Sequence, residues 1–505
     1  MALTAIHKTI LGIDLGTQSV KVMVYCPDRL EILAEKTHPF EIISKPDGTM
    51  EQLAEWWISG IKETIAAIDP KIKKSIVAIG VSGQQHGFVP LDEAGNVLYP
   101  VKLWCDTSTS EECLEIMEAM GGERECINIT GNSIAVGYTA SKILWLKKFQ
   151  PEAYQKMATI LLPHDYINYY LTGKRTMECG DASGTGLLDI KNRCWSKEAL
   201  KALDPDRDLM PCLPPLIKAD DLNGTIKADI AVQLGLNPDV VVSAGGGDNM
   251  MAAIGTGNIE PGKLTASLGT SGTLFAFHDQ PAIDLKGELA AFCSSSGGWL
   301  PLLCTMNCTV ATEQMRDLLE VDLQEMEKLA SFIPLGADGV ITIPFFNGER
   351  TPALPKAKAS IFGLSPQNTT NAHLIRSTME AGIFNLKAGL DAFKRCGMEF
   401  NEITLTGGGS KSALWRQICA NILNLPVRIL NQQENAAFGA ILQAFWAYRK
   451  HKGNPITLKQ IIKDHISEEK AKHCAPDKES VVQYEKIYQD YQSFVKLITL
   501  HYGKL

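Results

Sequence analysis

No stretch of this 505-residue chain approaches the run of about eighteen apolar residues that a membrane-spanning helix requires. The N-terminal stretch MALTAIHKTILGID lacks the basic segment, long apolar core and small-residue cleavage site of a secretory leader. Positive charge is in deficit: 49 Lys and Arg stand against 57 Asp and Glu, a formal net charge of -8 at pH 7. That balance weighs against nucleic acid or an anionic membrane surface as a partner. The thirteen cysteines are scattered and odd in number, and no CxxC pair recurs at a zinc-like spacing, so reduced thiols are expected rather than a disulfide framework or a structural zinc site. A long Ser/Pro/Gly linker is also missing. What remains is a soluble, cytoplasmic globular protein with an ordinary 45 % hydrophobic and 21 % charged content. Its length calls for two or more domains, each with its own core.

The chain contains an internal echo. ILGIDLGTQSVKVMVY (Ile10 to Tyr25) reads as two short strands joined by a turn of Gly16, Thr17, Gln18 and Ser19, and LTASLGTSGTLFAF (Leu264 to Phe277) repeats the pattern. Leu15-Gly16-Thr17 aligns with Leu268-Gly269-Thr270, about half a chain away. The copies differ at one informative position: Asp14 precedes the first LGT, whereas Ser267 precedes the second. Small-residue turns of this kind present converging amides and hydroxyls, a plausible cradle for phosphate oxygens, and two of them could grip a polyphosphate across a cleft. Two ordinary hairpin turns are the competing reading.

Elsewhere strand-like and helix-like runs alternate, which predicts an α/β fold. SIVAIGVSGQQHG, DVVVSAGGGDN and EITLTGGGS are apolar strands ending in polar or glycine-rich loops. Ligands in such sheets bind beyond the C-terminal strand ends, so all three loops are site candidates. TMEQLAEWWISGIKETIAAI pairs Thr49 with Gln52 in a capping-box pattern and predicts a helix starting there. Tyr484, Ile487, Tyr488, Tyr491, Phe494 and Val495 fall at helical spacing and predict a core-facing stripe. A tight hinge is expected near residues 255 to 262.

AGGGDNMMAAIG (Ala244 to Gly255) poses the sharpest question. Glycines at this density let the backbone approach a ligand closely, and Asp248 then reads either as a catalytic acid or as the cap of the helix that follows. The residues alone leave both open.

Two further stretches carry a family resemblance. GYTASKILWLKKF (Gly137 to Phe149) has Thr139, Lys142 and Trp145 in place and departs at Phe149; ASIFGLSPQNTTNAHLIRSTME (Ala359 to Glu380) fits throughout, including Gly363, His373 and Glu380. Together with GIDLGTQSVK, SGQQHG, GGGDN, SLGTSGT, NGERTP and LTGGGS, in order along nearly the whole chain, they resemble the FGGY family of carbohydrate kinases. The resemblance implies two similar actin-like, ribonuclease H-like ATPase domains, at 8–256 and 262–505, flanking a deep cleft. It further implies ATP as donor, Mg²⁺ as cofactor and a small-molecule sugar or polyol as acceptor. SGQQHG followed by LWCDTST is most similar to the branch that phosphorylates D-xylulose at its C5 hydroxyl, although methionine is common where Gln85 stands. Ribulose, sedoheptulose and other polyols stay open as acceptors, as does a homodimer.

By the same resemblance Asp248 is the general base and Asn249 fixes a neighbouring hydroxyl. Asp14 organises Mg²⁺ at the phosphates, and Thr17 and Gln18 face the transferring group. Gln85 and His86 bind the sugar, with Asp106 a weaker candidate. Gly269 and Thr270 form the second phosphate loop, and Gly408 and Gly409 pass under the adenosine. Glu434 and Asn435 are read as structural. A rival of another class is a nucleotide-driven conformational ATPase with no acceptor pocket.

Overall fold

Both echoing segments fold as antiparallel hairpins, and each hairpin opens a sheet. In a computed structural model describing residues 7–503, the first hairpin is β1 (Thr9–Leu15) and β2 (Ser19–Cys26). It is joined by β3 (Glu31–Pro39), β4 (Ile76–Gly83), β5 (Leu222–Thr225) and β6 (Val241–Ser243). The strand order is β5-β6-β4-β1-β2-β3, with β4 parallel to β1 and to β6. The second sheet consists of β7 (Lys263–Leu268), β8 (Gly272–Phe275), β9 (Leu302–Thr305), β10 (Glu402–Thr406) and β11 (Val427–Arg428), ordered β9-β8-β7-β10-β11. Each sheet is therefore an antiparallel three-strand meander whose first strand pairs in parallel with a later one. The three-residue echo reports a duplication of the five-strand order shared by the two sheets, to which the first adds β5 at its edge.

Burial explains why β1 reads as an almost continuous apolar run. Leu11, Ile13 and Leu15 face a cluster containing Trp57 and Ile61 of the helix Ala54–Ala66, while Ile10 on the opposite face joins a second cluster. A strand covered on both sides has no solvent face to mark with polar residues. The second cover comes from distant sequence. Helix α1 (Asp248–Gly255) follows β6, and helix α2 (Asn435–His451), from the second half of the chain, lies over the first sheet. Ala437, Phe438, Ala440 and Ile441 of α2 share a buried cluster with Ile10, Met23, Ala78, Met250 and Ile254.

Four glycines permit this approach. A Cβ on Gly12 would lie 2.5 Å from the Ala437 carbonyl oxygen, and one on Gly80 would lie 2.0 Å from that of Ala440. On Gly255 it would lie 2.0 Å from the Asn435 oxygen, and on Gly439 1.8 Å from the Met251 oxygen. Backbone cannot yield as a flexible side chain can. Gly439→Ala is thus expected to lower the unfolding free energy by about 3 kcal/mol, the upper end of the usual overpacking range. The check is the urea midpoint at constant slope; an unchanged midpoint would contradict backbone contact between α1 and α2.

The segment between α1 and β7 is short and pinned. Asn258 donates to Thr265 Oγ1 and to the Phe275 carbonyl, both at 3.0 Å, and its Oδ1 accepts from Phe277 N at 3.0 Å.

The helix after Thr49 starts later than predicted. Thr49 is not its cap: Met50–Gln52 is a short strand, the helix runs Ala54–Ala66, and Leu53 precedes it with no side-chain cap. Tertiary partners claim Gln52 instead. Its Nε2 donates to the carbonyls of Thr17 and Glu41, at 2.8 and 2.9 Å, and its Oε1 accepts from Trp57 Nε1. The C-terminal stripe does face the core: Tyr484, Tyr488 and Tyr491 of the helix Lys478–Tyr502 are buried beside Phe384. All thirteen cysteines are unpaired. Among the described residues no helix is long and apolar enough to cross a membrane.

Candidate active site

The C-terminal ends of β1 and β4, the N-terminus of α1 and the β7–β8 turn converge on one cavity of about 440 Å³. Its lining from the first half includes Asp14, Gly16, Gln85, His86, Tyr138, Asp248 and Asn249; the second half supplies Gly269, Thr270, Ser271, Phe292, Arg350 and Thr406. Loops that close parallel strands thus meet where ligands of α/β sheets bind.

Asp248 is the first residue of α1, and Gly247, not Asp248, is the residue that precedes the helix as its cap. Its Oδ1 accepts from its neighbour's backbone, Asn249 N at 2.7 Å, and from Asn249 Nδ2 at 3.0 Å. Burial, reinforced by the nearby negative charge of Asp14, raises the Asp248 pKa to about 7 against the opposing Asn249 hydrogen bonds. A carboxylate with that pKa can take a proton at neutral pH and release it again. The preceding glycines serve the protein more than a ligand. Gly245 has φ +74°, and a Cβ there would lie 2.6 Å from the Val81 carbonyl. On Gly246 it would lie 2.7 Å from Ser295 Oγ, and on Gly247 2.7 Å from Gln85 Cγ and 2.9 Å from Asp181 Oδ1. The expectation that these glycines bring the backbone close to a ligand is corrected: protein atoms already fill the space a side chain would take, and none of the three lines the cavity.

Asp14 stands near the end of β1, beside Ser82 of β4 in the parallel register. Ser82 Oγ donates to its Oδ1 at 2.8 Å. Burial raises its pKa to about 6, only partly offset by that hydrogen bond. Lys21, across the hairpin, is engaged by Glu434 at 2.5 Å and by Glu35 at 3.6 Å. No lysine, arginine or histidine forms an ion pair with Asp14 or Asp248 among the described residues. Two acids sharing a cavity without a cationic partner suit a divalent ion bound with phosphate.

In the loop after β4, Gln85 Oε1 accepts from Asn249 Nδ2 at 2.9 Å, while Gln85 Nε2 is buried with no partner. An unmet donor at a cavity wall can serve an acceptor atom of a ligand. His86 adopts the left-handed conformation, φ +65°, which a histidine holds only when its surroundings fix it. Lys142 fixes it: the buried Nζ donates to the carbonyls of His86 at 2.7 Å and Gly137 at 2.6 Å, and Thr139 Oγ1 adds a bond to the His86 carbonyl at 3.2 Å. Burial, with the charges of Lys142 and Arg350 adding to it, keeps the imidazole pKa well below its usual value, so His86 is neutral. The stretch from Gly137 to Phe149 therefore acts by pinning the His86 loop.

In the β7–β8 turn, Gly269 and Thr270 line the cavity, and their carbonyls accept from Thr309 N and Cys308 N at the start of the next helix. Thr17 and Gln18 sit in the β1–β2 turn but not on the cavity lining; Thr17 Oγ1 donates to Gln84 Oε1 at 3.1 Å and accepts from Trp104 Nε1 at 2.8 Å. Gly408 and Gly409 follow β10 and Thr406. A Cβ on Gly408 would meet nothing within 4 Å, whereas one on Gly409 would lie 2.8 Å from Leu268 Cβ and from Trp415 Cζ3. Gly408 borders open space; Gly409 is small for packing. Glu434 and Asn435 begin α2 and bind protein, as expected.

Asp106 is placed elsewhere. It is fully buried outside the cavity lining, paired with Lys102 at 3.1 Å and accepting from Met50 N, Ser108 N and Ser108 Oγ. Lys102 also pairs with Glu51 and stacks on Trp145. Every strong acceptor direction of this carboxylate is taken by protein, so the structure does not bring it to the Gln85-His86 loop.

Residues that sequence reading passed over include Trp104, Tyr138, Phe292 and Arg350, which line the cavity but lie far apart in the chain. Beneath the glycine loop, His164 is clamped between Asp181 Oδ2, 2.5 Å from its Nδ1, and Asp165 Oδ1, 2.9 Å from its Nε2. Although burial opposes the charge, these two carboxylates hold the imidazolium pKa well above the usual value. Nothing in PHDYIN or GDASG signals that pairing. Only NGERTP offered a signal for Arg350, and no role was attached to it.

Residues 9–255 match the family model described as the FGGY family of carbohydrate kinases, N-terminal domain, and residues 264–448 match the C-terminal domain of the same family. The chain is 41 % identical over 488 residues to a xylulose kinase of Haemophilus influenzae, covering 95 % of this chain and 98 % of that protein. It is 32 % identical to a xylulose kinase of Bacillus subtilis, covering 86 % and 88 %. A crystal structure titled as a xyloylose kinase from Brucella ovis superposes with a TM-score of 0.90 at 27 % identity, covering 97 % of this chain and 99 % of that one.

Proposed function

We propose that this chain, which belongs to the FGGY family of carbohydrate kinases, transfers the γ-phosphoryl group of ATP to the C5 hydroxyl of D-xylulose. One observation carries the reading: an acid with a pKa near 7, Asp248, shares a cavity wall with the unmet donor of Gln85, and the small-residue turn of Gly269 to Ser271 faces the same cavity. The acceptor follows from the relatives, which are named as xylulose kinases.

In this mechanism Gln85, His86 and Asn249 orient the sugar so that one hydroxyl points at Asp248. As the oxygen of that hydroxyl bonds to the γ-phosphorus, Asp248 takes its proton and the bond from phosphorus to the bridging oxygen breaks, leaving ADP. Little covalent chemistry falls to the protein; alignment and charge compensation supply most of the acceleration. Asp14 is the residue that would hold Mg²⁺, with Ser82 fixing its carboxylate. Bound there, Mg²⁺ neutralises charge on the phosphate oxygens. Phe292 and Tyr138 narrow the acceptor end, beside His86 at ring-centroid distances of 5.9 and 4.7 Å, and help exclude water that would otherwise accept the phosphoryl group.

The test is a panel of D-xylulose, D-ribulose, L-ribulose, sedoheptulose and polyols with MgATP. D-xylulose is expected to give the highest kcat/KM, at least about tenfold above each competitor, because a polar pocket penalises a misplaced hydroxyl through its own unpaired groups. Phosphorus-coupled NMR should locate the new ester at C5. A different best substrate would remove D-xylulose while keeping the kinase; ATP hydrolysis with no sugar dependence would point to a conformational ATPase.

A further inference from the structure

The cavity has an unequal distribution of charge. Asp14, Asp248 and Glu288 line it, His86 is held neutral, and of its lining residues Arg350 is the one with a permanent positive charge. The donor proposed above brings several further negative charges into this space. Phosphoryl transfer moves charge onto the equatorial and bridging oxygens, and fixed cations at that point supply much of the catalysis.

Arg350 is built to be held in place, its side chain bonded to the Cys304 thiol and left without a carboxylate partner among the described residues. It belongs to the loop Phe346 to Pro355, which is tied to the second half by Glu349. That buried carboxylate accepts from Met306 N at 2.7 Å, Asn307 Nδ2 at 3.1 Å, Asn385 Nδ2 at 2.8 Å and Arg350 N at 2.8 Å. Backbone bonds between Glu349 and Leu354, 2.9 Å in each direction, close the loop. Thr351 Oγ1 adds a bond to the Cys304 carbonyl at 3.3 Å. The guanidinium itself forms no ion pair with any carboxylate among the described residues and lies near Cys304, His86 and Tyr138, residues that also line the cavity. A half-buried arginine at a cavity wall with no anionic partner is a site for an anion.

We propose that Arg350 is a catalytic residue that binds the phosphoryl group as it passes to the acceptor and holds it as the phosphate of the product. Its place among His86, Tyr138 and Cys304, the last beside Ser271 of the β7–β8 turn, puts the charge between the His86 side of the cavity and that turn. A neutral sugar can accept only ordinary hydrogen bonds from a guanidinium there, whereas a phosphorylated one also meets its charge. Arg350 also comes from the second half of the chain while Asp248 and Gln85 come from the first, so its contact with the phosphoryl group would form as both halves engage the substrate.

This inference rests on the reading of the chain as a ketose kinase, and the experiment separates the two. Wild-type turnover of D-xylulose tests the reading. Arg350 is tested by ratios between wild type and variant, measured with whichever sugar of the panel the wild type turns over fastest and with the matching sugar phosphate as product inhibitor. In Arg350→Gln, kcat should fall about 10²-fold, the loss expected for one preorganised donor in the transition state. The inhibition constant of the sugar phosphate should rise at least about tenfold, while the dissociation constant of the unphosphorylated sugar, by calorimetry, should stay within about threefold. Arg350→Lys keeps the charge but not the planar fork, and should recover part of kcat and of product affinity. A displaced loop would weaken sugar and sugar phosphate together, and that pattern in both variants would overturn the proposal. Unchanged product inhibition with normal kcat would overturn it equally.

Discussion

Asp248→Asn is expected to yield a folded protein that binds ATP and sugar with near wild-type affinity and turns over about 10²- to 10⁴-fold more slowly, the usual range for loss of a general base. The amide preserves the volume at the start of α1 and can keep the contact with Asn249, so the fold has no reason to change. What it cannot do is take a proton. Single-turnover kinetics with both substrates saturating would measure the chemical step itself, and near-normal turnover would remove Asp248 from the base role. The wild-type pH profile follows from the same geometry. Burial, then the charge of Asp14, raises the Asp248 pKa to about 7, and only the ionised form accepts a proton. The kcat/KM of the wild type should therefore fall about tenfold per pH unit below that value and level off above it, because this parameter reports the free enzyme. The asparagine variant should lose this limb. A wild-type profile flat from pH 5 to 8 would contradict the assignment.

Asp14→Asn is expected to lower kcat by about 10²- to 10³-fold, the range for losing one preorganised electrostatic contributor, and to raise the apparent activation constant for Mg²⁺ by about 10- to 100-fold. Titrating Mg²⁺ at fixed ATP measures both. The two acids are also coupled: the negative charge of Asp14 raises the pKa of Asp248. Removing that charge should shift the acidic limb of the residual activity to lower pH. An unaltered Mg²⁺ requirement would sink the metal-site reading even if turnover fell.

Much of this site could be read before any coordinates. Asp14, Gln85, His86, Asp248, Asn249, Gly269 and Thr270 lie at loops that close strands, and each loop carries a local signature, so a one-dimensional scan finds them. They converge on one cavity because their strands are parallel neighbours or duplicated counterparts. Asp106 illustrates what such a scan cannot see. It follows a strand within a polar stretch like the others, yet its carboxylate is spent on Lys102 and three hydrogen bonds from Met50 and Ser108. Thr49 and Gln52 match a capping pattern, but long-range partners at Thr17, Glu41 and Trp57 outcompete the local cap. Glu380, at the end of the second family stretch, is bonded by Arg376, Tyr484 and the Gly336 amide in a buried network that ties two helices together.

The sequence by itself determined the alternation of elements, the duplication and the identity of most acids and loops, because those depend on residue type and on neighbours within a few positions. Tertiary structure alone decided that α2 covers the sheet of the first half through glycine contacts, that the glycines before Asp248 accommodate Gln85, Asp181 and Ser295, and that Arg350 is the unpaired cation of the cavity. These depend on which atoms occupy the space beside a residue. Steric fit and charge pairing act through distance in space, and residues hundreds of positions apart in the chain set both.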